Sequence, residues 1–307
     1  MIDLDTGEAV AAYLREQSNW GRWGADDELG TLNLVTAEKR LAALALAHTG
    51  QSISLSRPLA VRSVGGDAPP ATIETVVVPR DDAGSVIDHV TLTCHDTANT
   101  HIDSLCHIWD RDGQWNGRDP AASIQRDGVT FGSVEAYSAG IITRGLLLDV
   151  PAHRGTDHVT QDRPVTGEEL FEIADSMGLD PQPGDAICVY SGRDRWDARH
   201  PAWGTGSRDA ARSVRPGLHA SCLRFLREVD AGMLVWDMMD MRPSGVDIPF
   251  SIHGAVWAFG LALLDNADLG HLSEACRTQD RHEFLLCVAP LRIPGGTGSA
   301  VNPLAVF

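Results

Sequence analysis

Apolar and polar positions along the chain follow two periods, and the changes between them outline the elements. Residues 145–150 (GLLLDV) form an uninterrupted apolar run, which predicts a strand covered on both faces. Residues 52–56 and 72–78 are alternating or β-branched and also predict strands, with a Gly/Pro-rich loop at 63–70 between them. Residues 86–95 alternate clearly, with Val90, Leu92 and Cys94 on one face and Thr91, Thr93 and His95 on the other. Further strands are expected at 186–191, 233–237 and 284–288.

Helical spacing appears between these strands. Thr36 opens a helix that Gly50 closes, and Thr166 caps a helix running to Met177. Pro216 fits the first turn of a helix over 217–228. Residues 254–264 read as another apolar helix. The polar, Arg/Asp-rich stretch 193–214 predicts a long surface loop of the kind that covers a site. Residues 1–50 look helical, broken by the Trp-rich segment 19–33. Strands alternating with helices predict an α/β fold, read as an N-terminal extension over 1–50 and a single domain over 51–307.

Charge narrows the function. Lys+Arg is 25 against 42 Asp+Glu, a formal net charge of −17, so phosphate backbones and anionic lipid are repelled. The expected partner is a small molecule, with no nucleic acid and no membrane. No apolar run reaches bilayer length and the first residues lack a basic, signal-like region, so a cytoplasmic location is expected. Lys39 is the sole lysine, which disfavours Schiff-base chemistry, and no phosphate-binding glycine loop is present. The six cysteines are scattered without a CxxC pair.

The densest chemistry lies in CHDTANTHIDSLCH, residues 94–107. His101 and Asp103 are two apart, so in extended chain they share a face and offer two parts of a metal site. His107 is close enough to act beside them as a base, and His95 lies just upstream. Trp109 and Trp115 follow the cluster, and Trp20 and Trp23 lie in the N-terminal segment. The two pairs are candidate flat walls for an aromatic or polycyclic substrate. Arg193, Arg195 and Arg199 are candidates to meet a substrate carboxylate. Asp237, Asp240 and Asp247 follow a strand and are left out of the candidate site.

His101-x-Asp103-x-x-x-His107 resembles the signature of the cyclase family, which includes bacterial kynurenine formamidase and isatin hydrolase. WGADDELGTLN, GLLLDV, PGDAICVYSG, PGLHASCLRFL and LRIPGGTGSAVNPLAVF also resemble longer members of that family. The resemblance implies a swivelling β/β/α domain and a homodimer or larger homo-oligomer. It implies metal ligation by His101 and Asp103 and a general acid/base role for His107. The family's second pair, a His and a Glu twelve residues apart, falls on His253 and Asp265, with the Glu shortened to Asp. On an unbroken helix those two would not form one stripe, so they converge only if the helix ends before Asp265.

One family ligand is missing. The family's first His falls on Thr97 and its Gly on Asn99. His95, two residues before Thr97, would share its face in a strand and is the candidate replacement. The expected cofactor is manganese or zinc, one ion before two, with a metal-free site as the remaining option. The implied function is a metal-dependent hydrolase of an amide, formamide, cyclic imide or lactone. The alternatives are a cyclase or dehydratase closing a polyketide-like ring, and a metal-free binding relative. The glycine-rich 295–299 loop is expected to shape a pocket wall or a subunit contact.

Overall fold

The computed structural model describes residues 4–61, 70–200 and 215–307. Thirteen strands lie among these residues: β1 Ser52–Ser54, β2 Thr72–Pro79, β3 Gly84–Thr91, β4 His101–Asp103, β5 Ile124–Gln125, β6 Gly128–Val129 and β7 Ile141–Asp149. They continue as β8 Ala186–Tyr190, β9 Met233–Trp236, β10 Ala262–Asp265, β11 Glu283–Val288, β12 Gly298–Ala300 and β13 Leu304–Val306. Nine strands form one mixed sheet in the order β1-β13-β11-β7-β8-β9-β10-β4-β12. Its centre, β7-β8-β9-β10, is parallel, and both flanks pair antiparallel. The molecule is thus mixed α/β.

Burial on both faces explains the continuous apolar runs. In β7, Leu146 and Leu148 enter one core cluster and Leu147 the other. In β8, Ile187 and Val189 face one way and Cys188 and Tyr190 the other. Helices cover these faces, and two begin at the caps read from the sequence. Thr36 accepts from the Lys39 amide and Thr166 from the Glu169 amide, satisfying donors the first turns leave open.

Several boundaries differ from the sequence reading. The strand expected over 86–95 ends at Thr91, and β3 forms with β2 a separate two-stranded ribbon. The helix expected from Gly217 starts at Cys222, because Leu218 is spent on bridges to Val165 and Asp240. Within the expected 193–214 loop, Arg193–Asp197 is helical, and residues 201–214 lie outside the described residues, as do 62–69 of the expected 63–70 loop.

The most consequential difference is in residues 254–264. The helix Gly254–Phe259 stops at Gly260, which takes a left-handed φ of 67°, and the chain continues as β10. A side chain at Gly260 would lie 2.8 Å from the Gly30 Cα and 2.9 Å from Trp115. The N-terminal segment clasps this turn: the Asn19 amide donates to the Ala258 carbonyl and the Thr31 amide to the Gly260 carbonyl.

Candidate metal centre

β4 lies between β10 and β12, two short antiparallel neighbours. The register sets His101 opposite Asp265 and Asp103 opposite Gly298. Alternation therefore sends His101 and Asp103 to one face while Ile102 enters the core. Gly298 permits a close approach, since a Cβ there would lie 2.5 Å from the His95 ring.

Asp103 is the hub, fully buried beneath three imidazoles. Its Oδ1 is 2.9 Å from His95 Nδ1 and 3.5 Å from His101 Nε2, and its Oδ2 is 3.9 Å from His107 Nε2. Burial alone would raise the Asp103 carboxyl, but the facing histidines outweigh it and hold the group below the ordinary carboxylate range. The second His95 nitrogen meets Thr297 Oγ1 at 2.9 Å, so the glycine-rich loop forms part of the wall. The His95 and His107 rings stack with centroids 3.7 Å apart. His101 is oriented from behind by the Asn99 carbonyl, 2.9 Å from its Nδ1. Burial pushes the His107 imidazole down to about 4, against the opposing pull of Asp103.

The far end of the chain arrives through the helix–strand switch. His253 stands just before the helix, and its Nε2 is 3.1 Å from Asp265 Oδ2. Its Nδ1 is held by Asp240, which also accepts from the Ser251 hydroxyl and the Ile252 amide. Burial would depress His253, yet the Asp240 and Asp265 carboxylates reverse this and raise it well above the usual histidine range. The Trp236 indole donates to the other Asp265 oxygen.

All five expected ligand positions are therefore brought together. His95, His101 and Asp103 place one donor atom each within 4.8 Å of one another, and so do Asp103, His253 and Asp265. The donor set fits a divalent cation on a further ground: Asp103 Oδ2 is wholly buried and has no hydrogen-bond partner. Asp103 belongs to both groups.

The four tryptophans are not brought to this place. The cavity of about 810 Å³ over the cluster is lined by none of them. Trp115 is completely buried and donates to the Asp27 carbonyl. Trp20 packs edge-on against Trp257, Trp23 lies against Trp115, and Trp109 is 44% exposed. Nor do Arg193, Arg195 or Arg199 line the cavity: Arg193 is buried against Thr97 and Asn266, and the other two pair with Asp157. Asp240, left out at the sequence level, holds His253. Its only sequence signal was its place just beyond a strand end.

The Cyclase family model matches residues 45–242, more than half of the chain. The chain belongs to the cyclase family. A crystal structure described as a novel cyclase superposes with a TM-score of 0.81 at 23% identity, over 94% of this chain and 97% of that one. An isatin hydrolase bound to the product analogue thioisatinate gives 0.61 at 15% identity, over 89% of this chain and 99% of that one. Isatin hydrolase A from Ralstonia solanacearum gives 0.57 at 19% identity, over 89% and 98%. At these identities the likeness is one of fold. A search of curated proteins returned no match. Thr97 stands where the resemblance leads one to expect a histidine, and His95 lies beside Asp103, with its Nδ1 2.9 Å from Oδ1.

Proposed function

We propose that the protein is a metal-dependent hydrolase of an amide, formamide, cyclic imide or lactone in an aromatic or polycyclic small molecule. The observation that carries this reading is the Asp103 carboxylate, buried under His95, His101 and His107 with Oδ2 unpartnered. His95, His101, Asp103, His253 and Asp265 would hold manganese or zinc. When bound, such an ion supplies Lewis acidity to a carbonyl oxygen and lowers the pKa of water.

The chain's own groups divide the remaining work. His107, neutral at pH 7 because of its burial, takes a proton from the attacking water at Nε2 and returns it to the leaving nitrogen or oxygen. Asp103 stays ionised and stabilises the imidazolium that His107 becomes. Asp240 fixes the His253 ring, and Asn99 fixes that of His101. The apolar cavity wall, including Ile108, Met239 and Phe250, removes water from around the scissile bond.

The same reading takes residues 51–307 as one domain of the swivelling β/β/α kind with 1–50 packed on it, assembled as a homodimer or larger and located in the cytoplasm. Among the described residues no helix is long and apolar enough to cross a membrane. The test is metal analysis with chelator-sensitive turnover of formamide, isatin-like and lactone substrates. Stoichiometric metal with hydrolysis lost on chelation supports the proposal. Metal accompanied only by ring closure of a polyketide-like compound, or ligand binding without metal, refutes it.

A further inference from the structure

The cavity over the His/Asp cluster carries a feature that bond hydrolysis does not use. Beyond the cluster, its wall is built from residues 239–251, where Met239, Met241, Val246, Ile248 and Phe250 give an apolar surface. Set in that surface are Arg215 and Arg242. Their backbones exchange hydrogen bonds of 2.9 Å in both directions, which fixes the two residues opposite each other. Burial, and after it the charge of Arg242, pushes Arg215 down to about 10, as expected where two guanidinium groups share a wall.

Arg242 lacks the compensation that other arginines of this acidic chain receive. Arg22 pairs with Asp230, Arg144 with Asp185 and Arg154 with Glu169. Among the described residues the Arg242 guanidinium has no ion pair and no hydrogen bond. The acids on the same wall do not serve it. Asp240 is occupied by Ser251, Ile252 and His253, and Asp247 is exposed and makes no ion pair with it. A half-buried guanidinium in an apolar wall, beside a second cation, is matched by a planar anion that accepts two parallel N–H bonds.

We propose that Arg242 binds a carboxylate carried by the substrate in addition to the bond that is broken, so that the substrates are aromatic or polycyclic acids. This rests on the hydrolase reading only in calling the ligand a substrate, because the anion site itself is a matter of binding. The arginine that meets the carboxylate thus lies on the wall after β9 rather than in the 193–199 segment.

The test uses the full-length protein stripped of metal with chelator, so that no cation contributes to anion binding. Calorimetry compares 3-phenylpropanoate with its neutral isostere 3-phenylpropanamide on the unaltered protein, R242Q and R242K. The unaltered protein is expected to favour the acid by about tenfold or more, the size of a charge-assisted hydrogen-bond pair. R242Q is expected to lose about tenfold for the acid and nothing for the amide, and R242K to keep part of the preference. Should R242Q not fold, R242K alone decides, with a several-fold weaker acid as the expected result.

An acid affinity unchanged in a folded Arg242 variant overturns the proposal. So does an unaltered protein that shows no preference for the acid, or binds neither compound. Failure of the hydrolase reading looks different: no chelator-sensitive turnover, with the acid preference and its loss in R242Q intact.

Discussion

His253 and Asp265 are twelve residues apart in sequence and 3.1 Å apart in space, joined by a change of secondary structure at Gly260. A continuous helix would have carried them to different sides. The left-handed turn at Gly260 and the strand that follows bring Asp265 back beside β4.

Gly260→Ala should therefore damage fold and site together. The left-handed backbone alone costs a non-glycine residue about 1–2 kcal/mol. The added methyl would also press on Gly30 and Trp115. Chemical denaturation should show a loss larger than the backbone figure alone, and metal content should fall in whatever fraction remains folded.

In the proposed ligand set His95, 2.9 Å from Asp103, takes the place that the resemblance assigns to Thr97. His95→Ala should weaken metal binding by at least about ten- to a hundredfold, the scale on which even a partner outside the ligand set acts. Gly298→Ala should reproduce part of that loss, because its methyl would displace the His95 ring. Metal titration of the apo-proteins measures both. Binding at the unaltered strength in His95→Ala would remove it from the site.

Asp237 gives a pH signature in stability. It is fully buried, accepts from the Ser191, Arg193 and Met238 amides, and is nonetheless raised by burial to about 6. Its folded-state pKa thus lies above its unfolded value, so the folded state binds more protons between about pH 4 and 6. The stability it contributes is complete below the unfolded pKa and is lost as pH rises through about 6. Relative to Asp237→Asn, the unaltered protein should lose up to about 3 kcal/mol over that window. Urea denaturation of both proteins at several pH values reads the difference.

How much of this was legible in the sequence depended on whether the signal was local. The His101–Asp103 pair was readable because two-residue alternation aims side chains wherever the strand goes, and His107 follows through a single turn closed by its amide on the Ser104 carbonyl. The caps at Thr36 and Thr166 were readable because each capping hydroxyl and the amide it satisfies are only three residues apart. Residues 254–264 were not, because an apolar run buried on all sides has no period that separates helix from strand, and Gly260 was its only punctuation.

Trp115 misleads in the opposite way. Its neighbours are polar, yet the N-terminal segment folds over it and the Asp27 carbonyl accepts a hydrogen bond from its indole N–H. Asp240 carries only its place just beyond a strand end, and Arg242 carries no local pattern. Their meaning comes from what the fold sets against them: His253 for one, and a second arginine for the other.

Metal content and turnover of the unaltered protein, Asp103→Ala and His107→Ala, measured on the same preparations, test the central claim most directly. Asp103→Ala should lose both the metal and hydrolysis, whereas His107→Ala should keep its metal at the unaltered stoichiometry and lose turnover. Equal metal loss in the two variants, or full metal retained without Asp103, would contradict the account.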